Sequence, residues 1–469
     1  MISKKLLMFL VGAAFVLAAL PLFAGGAKET STAASSPSGT ITSEMTAGPG
    51  GYPAYTGPPV TLTMWAWTSN ENDAFNIFEK LYPNIKIKWS NLGGGTPEYT
   101  KVLTATSAGK GLPDVIMSEY LFAPQFMEYG SFQAINKWLP KKLYLKYFPA
   151  NTLKWTSLDG KIYGTPQDSG AMTMVYRTDV FQKYGLTVPK TWTQFETEAK
   201  KLHSANPNVT MITLPINWIQ WPLGMVWASG GKMFDYANGK WYVDFTNPKA
   251  EKVMNYWGSL IQQHLVDAGT WWTSDWYKSI TDGKFATIIN GGWFPEWLQL
   301  NSKPSAGDWH VANVPQWNPS SPQNGQMGGS GFYVSSQSHA AQAAADFVLW
   351  LNSNKQASIQ LHNKSQLPIL WSLTFRNEVA PMFANLTYPY FGGQAITPVS
   401  VKSMEEVHTA YTPLPVMDYV LSSYTAAIKN FLSGSEDMNT MLQNWQSSVV
   451  AFMKKQGFNN VVVGQLPQG

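Results

Sequence analysis

A doubly wound α/β fold spread over more than one domain follows from three observations. Strand-like and helix-like stretches alternate from Val60 to Met117 in the order β-α-β-α-β, which builds a parallel sheet with crossover helices. The chain has 469 residues, enough for two or three domains at roughly 100–200 residues each. Hydrophobic residues make up 44% and charged residues only 13%. A disordered chain would have the opposite balance.

Each element has its own warrant. Lys4 and Lys5 precede an apolar run from Leu6 to Leu20, with small residues from Ala24 to Ala27. That pattern predicts a secretory signal over residues 1–24, the alternative being an uncleaved anchor. Residues 25–59 are rich in Ser, Thr, Ala, Gly and Pro and are expected to form a flexible tether. Val60–Trp67 alternates as a strand. Ser69 is placed to cap a helix with the stripe Ala74, Ile77, Phe78 and Leu81. Ile85, Ile87 and Trp89 alternate again, Tyr99, Val102 and Leu103 mark a second helix, and Pro113–Met117 a third strand. Met172–Tyr176 is a short apolar strand. Thr193 and Glu196 can box the start of a helix carrying Phe195, Ala199 and Leu202. Ala286–Asn290 and Phe332–Ser335 are further strands. Ala344, Phe347, Val348 and Leu351 mark one late helix, and Tyr424, Ile428, Phe431 and Leu432 another.

Composition excludes several functions. The chain has two arginines, Arg177 and Arg376, and a net charge of +4. Arginine is the usual bidentate partner of phosphate, so nucleic acid is not an expected partner. Cysteine is absent, which removes disulfides, thiol chemistry and a lipoprotein anchor. No two of the six histidines lie within five positions, so there is no zinc helix. There is no GxSxG elbow and no phosphate loop. Gly93–Gly95 reads as a turn. No cofactor or metal is expected.

The aromatic content is the positive signal. Of 21 tryptophans, several fall in pairs near strand ends: Trp65 and Trp67, Trp218 and Trp221, Trp271 and Trp272, Trp293 and Trp297. Ligands of open α/β sheets sit beyond the carboxyl ends of strands. An indole covers the C–H face of a sugar, and acidic or amide groups meet its hydroxyl edge. Trp293 follows a short strand and the pair Gly291-Gly292, which lets backbone or ligand approach closely.

Several segments then carry a resemblance. "LTMWAWTSNENDAFNIFEKLYPNIKIKW", "GLPDVIMSE", "DGKIYGTPQDSGAMTMVYRTDVFQKYGLTVPKTWTQF", "ASGGKMFDYANGKWYVDFTNPKA", "ITDGKFATIINGGW" and "GGSGFYVSSQS" follow one another. From Val60 to about Lys455 the chain resembles the family 1 extracellular solute-binding proteins of ABC importers, and particularly their maltose-binding branch. The resemblance implies a type II periplasmic-binding-protein fold with ligand between two α/β lobes. Lobe one would be residues 60–174 and 337–411, and lobe two residues 178–327 and 412–469. It implies that Trp293 and Trp218 stack on sugar, and that Ser118, Glu119, Asp168 and Trp67 contact ligand. Tyr419 would supply another aromatic. It further implies a carbohydrate ligand, permease subunits of an importer as partners, a monomer, no enzymatic activity and a periplasmic or extracellular location. Hinge strands near Met174–Tyr176 and Phe332–Ser335 would cross between the lobes.

One competing reading stays open on sequence. Two carboxylates far apart in the chain leave no motif, so a secreted glycan-acting hydrolase is the alternative.

Overall fold

The computed structural model describes residues 47–67, 72–365 and 369–467. The expected secretory signal, most of the tether and the cap at Ser69 lie outside them. The part of the tether that is described is docked rather than loose. Tyr52 is buried, its ring stacks on Tyr147 at 5.1 Å, and its hydroxyl lies 3.2 Å from Ser353 Oγ. Tyr82 donates to the Pro53 carbonyl at 3.0 Å. A buried tyrosine whose hydroxyl is partnered is an anchor, so the stretch around Tyr52 and Pro53, expected in the tether, packs with the first lobe.

The first lobe opens with β1 (Val60–Trp65), α1 (Asn72–Leu81), β2 (Ile85–Ser90), α2 (Thr96–Ser107) and β3 (Val115–Glu119), followed by α3 (Ala123–Glu128) and β4 (Gly164–Pro166). β1 pairs in parallel with β2 and β3, as the alternation predicts. Adjacent β3 residues face opposite sides. Val115 and Met117 join Phe78, Phe347 and Trp350 in one buried cluster. Ile116 joins Tyr99, Phe126 and Phe132 in another. The sheet is therefore covered on both faces.

The chain then crosses to the second lobe through residues 167–171. There follow β5 (Met172–Arg177), α4 (Trp192–Ala205), β6 (Thr213–Pro215), α5 (Gln220–Trp227), the hairpin β7 (Phe234–Ala237) and β8 (Lys240–Val243), α6 (Pro248–Gln262), β9 (Asp267–Gly269), β10 (Thr287–Gly291), α7 (Phe294–Asn301) and β11 (Trp309–Asn313). β5 lies between β10 and β11, antiparallel to both. Met211 and Thr210 join β10 to the stretch leading into β6, and β6 pairs in parallel with β9. The cap of α4 is Thr191 rather than Thr193: its side chain accepts from the Gln194 N–H at 3.1 Å. Gln194 sits three residues after that cap and reaches back to the Lys190 N–H at 2.8 Å, the capping-box role expected of Glu196.

The return crossing is residues 324–329, leading into β12 (Ser330–Val334), α8 (Ala341–Ser353) and α9 (Lys355–Ser365). β12 lies between β3 and β4, antiparallel to both, giving the order β2-β1-β3-β12-β4. The hinge strands expected near Met174–Tyr176 and Phe332–Ser335 are instead parts of the two lobe sheets. The crossing backbone lies just beside them, where Met327 N–H donates to Gly170 O at 2.8 Å and Met172 N–H to Gly325 O at 3.0 Å. Gly170 leaves no room for a side chain, since a Cβ there would stand 2.5 Å from Met327 O. A third strand of chain joins them: Ser169 N–H donates to Ile369 O, and Trp371 N–H to Gln167 O.

The last segment is α10 (Thr397–Glu405), α11 (Met417–Leu432), α12 (Met438–Lys455) and β13 (Val461–Val463). α10 packs on β11 and β5, with Asn313 Nδ2 donating to Val399 O at 3.1 Å. Thr412 N–H donates to Asp235 Oδ1 at 2.8 Å. Residues 397–411, expected on the first lobe, thus pack on the second, and the first lobe already resumes at Ser330. The pattern of α10 shows that it is a helix but not which sheet it covers.

Candidate ligand-binding cleft

Between the lobes the structure opens a cleft of about 570 Å³, inside the ~300–1,000 Å³ range of small-molecule sites. Its walls are Trp67, Glu119 and Asp168 on the first-lobe side, Trp272 and Trp293 on the second, and glycine-lined backbone at 93–95 and 328–329.

Trp67 follows β1 and is half-buried. Gly94 approaches its indole so closely that a Cβ there would lie 3.0 Å from the ring. The Gly93–Gly95 turn is therefore part of the cleft wall, which its composition did not announce.

Glu119 closes β3. Tyr99 donates its hydroxyl to Oε2 at 3.0 Å, and Gln220 Nε2 donates to Oε1 at 2.9 Å. The second bond joins a first-lobe strand to α5 of the second lobe. Burial pushes the Glu119 carboxyl above the usual carboxylate range, and the Gln220 and Tyr99 donors pull part of that back. Ser118 faces away: it is fully buried and its Oγ donates to the Glu119 carbonyl at 3.2 Å. Neighbours on a strand point to opposite faces, so of this expected pair only Glu119 lines the cleft.

Asp168 lies on the crossing backbone. Its Oδ1 accepts the Ser330 N–H at 2.8 Å, and its carbonyl accepts the Tyr120 hydroxyl at 3.0 Å. Burial raises its carboxyl to about 6, against the opposing pull of the Ser330 N–H.

Trp293 ends the turn after β10. Its Nε1 donates to Met327 O at 2.9 Å, which fixes the ring against the return crossing. Gly291 is required by space: a Cβ there would lie 2.3 Å from Met327 O and 2.4 Å from Trp293 Nε1. Trp272 shares the wall, its ring centroid 6.2 Å from that of Trp293. Sequence reasoning noted the Trp271-Trp272 pair but did not place Trp272 in the site. Its backbone is left-handed, with φ of 69°, a conformation that the residue type does not suggest. Trp218 packs edge-to-face against both rings, 5.3 Å and 81° from Trp272 and 6.0 Å and 70° from Trp293. It is not among the residues lining the cleft. Tyr419 is on α11, where its ring lies 3.9 Å from Phe452 and parallel to it. That packing ties α11 to α12, and Tyr419 is likewise not among the lining residues.

Chemically, the cleft offers indole faces, two carboxylates and backbone groups. Among the described residues no lysine or arginine lines it, and no cluster of His, Asp or Glu is arranged to hold a metal ion.

Comparison with known proteins fits this architecture. Residues 59–358 match the profile of the family described as bacterial extracellular solute-binding protein. The chain belongs to that family. As a solute-binding protein it is 25% identical over 357 residues to the lactose-binding protein of Rhizobium radiobacter, covering 71% of this chain and 80% of that one. It is 24% identical over 273 residues to the arabinooligosaccharide-binding protein of Halalkalibacterium halodurans, covering 56% and 59%. A solved ABC transporter-associated binding protein from B. animalis subsp. lactis, in complex with β-1,6-galactobiose, superposes with a TM-score of 0.72 at 27% identity. It covers 86% of this chain and 99% of that one. The fold of this solute-binding protein is the two-lobed α/β fold of such proteins. Among the described residues no helix is long and apolar enough to cross a membrane.

Proposed function

We propose that this solute-binding protein captures a neutral mono- or oligosaccharide outside the cytoplasm and delivers it to the permease subunits of an ABC importer. The observation that carries this is the cleft wall itself. Trp272 and Trp293 offer ring faces on the second lobe while Glu119 on the first lobe and Asp168 on the crossing offer acceptors. Sugars have just such a split between C–H faces and hydroxyl edges. Among the described residues no cation lines the cleft, which argues against acidic sugars. The names of the relatives, a lactose binder and an arabinooligosaccharide binder, support the same class. Trp67 is placed as a further contact, with Trp218 packed against both wall rings. The first thirty residues and the absence of Cys support export without a lipid anchor, and a monomer is part of the same reading.

The test is calorimetry of the purified protein against a panel of neutral di- and trisaccharides and matched uronic acids. Saturable binding of a neutral sugar without any release of smaller sugars supports the proposal. Hydrolysis of the panel, or tightest binding to a uronate, overturns it.

A further inference from the structure

The lobes also meet outside the cleft. On the first lobe, Lys154 lies in the short helical turn Leu153–Thr156, and Asp159 in the tip of the hairpin that pairs Ser157–Leu158 with Lys161–Ile162. That stretch is fixed to the first lobe. Tyr333 of β12 donates to the Trp155 carbonyl at 3.0 Å, and the Ile162 N–H donates to Asn136 Oδ1 at 2.8 Å. On the second lobe, Asp235 and Tyr236 belong to β7. Three bonds join the two sides. Lys154 Nζ donates to Asp235 Oδ1 at 3.1 Å and to the Tyr236 carbonyl at 3.3 Å. The Tyr236 hydroxyl donates to Asp159 Oδ1 at 2.6 Å. None of these four residues is among those lining the cleft.

Either side can be released without stranding a charge. The Asp235 side chain is only 1% exposed, and a buried carboxylate stripped of every partner would be strongly destabilising. Asp235 does not depend on Lys154 alone. Lys232 Nζ stands 2.9 Å from its Oδ2, and its Oδ1 accepts the Thr412 and Tyr236 N–H groups, each at 2.8 Å. These three donors stay with Asp235 on the second lobe. On the other side, the Lys154 side chain is 37% exposed and Asp159 is exposed, so water can replace their cross-lobe partners. Three cross-lobe bonds are thus exchangeable for bonds to solvent, and the receiving carboxylate is held ready for Lys154.

We propose that Lys154, Asp159, Asp235 and Tyr236 form a reversible clasp that favours the lobe arrangement seen here, in which both cleft walls face one space. This goes beyond sugar capture, because the clasp biases the lobes whatever the ligand is. A contact made in one arrangement and lost in the other shifts the balance between them. Apparent affinity falls with the fraction of protein in the binding-competent arrangement. The four residues are therefore positioning residues for binding, although none of them lines the cleft. Loss of the Lys154 ammonium should cut the ratio of clasped to separated lobes roughly threefold to tenfold, between the scale of exposed ion pairs and that of charge-assisted hydrogen bonds.

The test uses the absence of Cys for specific spin labelling. Lys88→Cys on the first lobe and Gln443→Cys on α12 of the second, both at exposed positions, carry nitroxides, and pulsed electron resonance on protein without added sugar reads the interlobe distance. Lys154→Met and Tyr236→Phe should each enlarge the population with separated lobes, while Lys154→Arg, which keeps the cation, should stay near the parent. Tyr236→Phe leaves every donor to Asp235 in place, so it still reports if Lys154→Met fails to fold. About 1 M NaCl, where the screening length is ~3 Å, should separate the parent lobes and add little in Lys154→Met. Calorimetry with the neutral sugar selected from the panel should show affinity reduced in the same proportion. Unchanged distances in both variants, a salt effect undiminished in Lys154→Met, or separated lobes with undiminished sugar affinity overturns the proposal. Separated lobes in the variants of a protein that binds no sugar would support the clasp and overturn the sugar reading alone.

Discussion

The indoles of Trp272 and Trp293 lie 6.2 Å apart and 26° from parallel, with Trp218 set across both at 81° and 70°. Two near-parallel rings share one wall of the cleft. Trp218 packs edge-to-face against both, which limits how far either can turn. Trp272 keeps this position although its φ of 69° is one that non-glycine residues adopt at a cost of order 1–3 kcal/mol. Packing supplies the compensation: Trp272 also meets Trp276 at 5.0 Å and Trp297 at 5.3 Å.

The first prediction concerns these rings. Trp293→Ala and Trp272→Ala should each remove roughly 1–3 kcal/mol of sugar binding, the value of a large apolar face. Trp272→Gly should lose the same affinity yet be more stable than Trp272→Ala by about 1 kcal/mol, because glycine accepts the left-handed backbone freely. Calorimetry and urea melts read the two effects separately. Full affinity in both alanine variants would remove the wall from the site.

Asp168 gives a pH signature with two opposite signs. Its carboxyl sits near 6 in the folded protein, above its ordinary 3.8, chiefly through burial. A raised carboxyl favours the folded state in its protonated form. Its contribution to stability is complete below about 3.9 and lost as pH rises through about 6. Binding should move the other way, because the ionised form is the better acceptor for sugar hydroxyls. Affinity should fall as pH drops through about 6 while that stability term grows. Asp168→Asn should flatten both trends, and an unchanged affinity between pH 5 and 7.5 in the parent protein would separate Asp168 from ligand.

Glu98 sits on α2 with both carboxylate oxygens buried and unpartnered. Burial raises it to about 7, with Lys101 pulling down and Glu119 pushing up. Glu98→Gln keeps the shape and removes the titration. The variant should be more stable than the parent at pH 8 by ~2–4 kcal/mol, at about 1.36 kcal/mol per pKa unit. The gap should close below about pH 4, where the parent carboxyl is neutral whether folded or not. Parallel denaturant melts at the two pH values test this, and a gap independent of pH would refute it.

Tyr52 tests the docking of the segment before β1. Tyr52→Ala should cost about 3 kcal/mol of stability through loss of the buried ring. Tyr52→Phe, which loses only the partnership with Ser353, should cost about 1 kcal/mol. Thermal melts of both variants check it. If alanine is tolerated without loss, the segment is merely laid on the surface.

The sequence reveals the strands and helices of the first lobe because their apolar residues repeat with the right periods. Val60 to Trp65 and Ile85 to Ser90 pair in parallel, as their alternation requires. It reveals Trp293 through a short strand followed by two glycines. It conceals Trp272, since no residue pattern announces a tryptophan with positive φ. Ser118 shows the limit of motif matching: a strand sends only every second residue to one side, and the motif names both neighbours. The destination of α10 was equally hidden, because amphipathic spacing identifies a buried face without identifying its partner. Asn238-Gly239, both left-handed between β7 and β8, carries the sequence signal of a two-residue hairpin turn.

The fastening of Tyr52 and Pro53 to Tyr147, Ser353 and Tyr82 also decides which half of the molecule is grounded. The described stretch from Ala47 to Pro59 is therefore held by the first lobe alone at these contacts, and a swing of the second lobe leaves Tyr52 and Pro53 where they are.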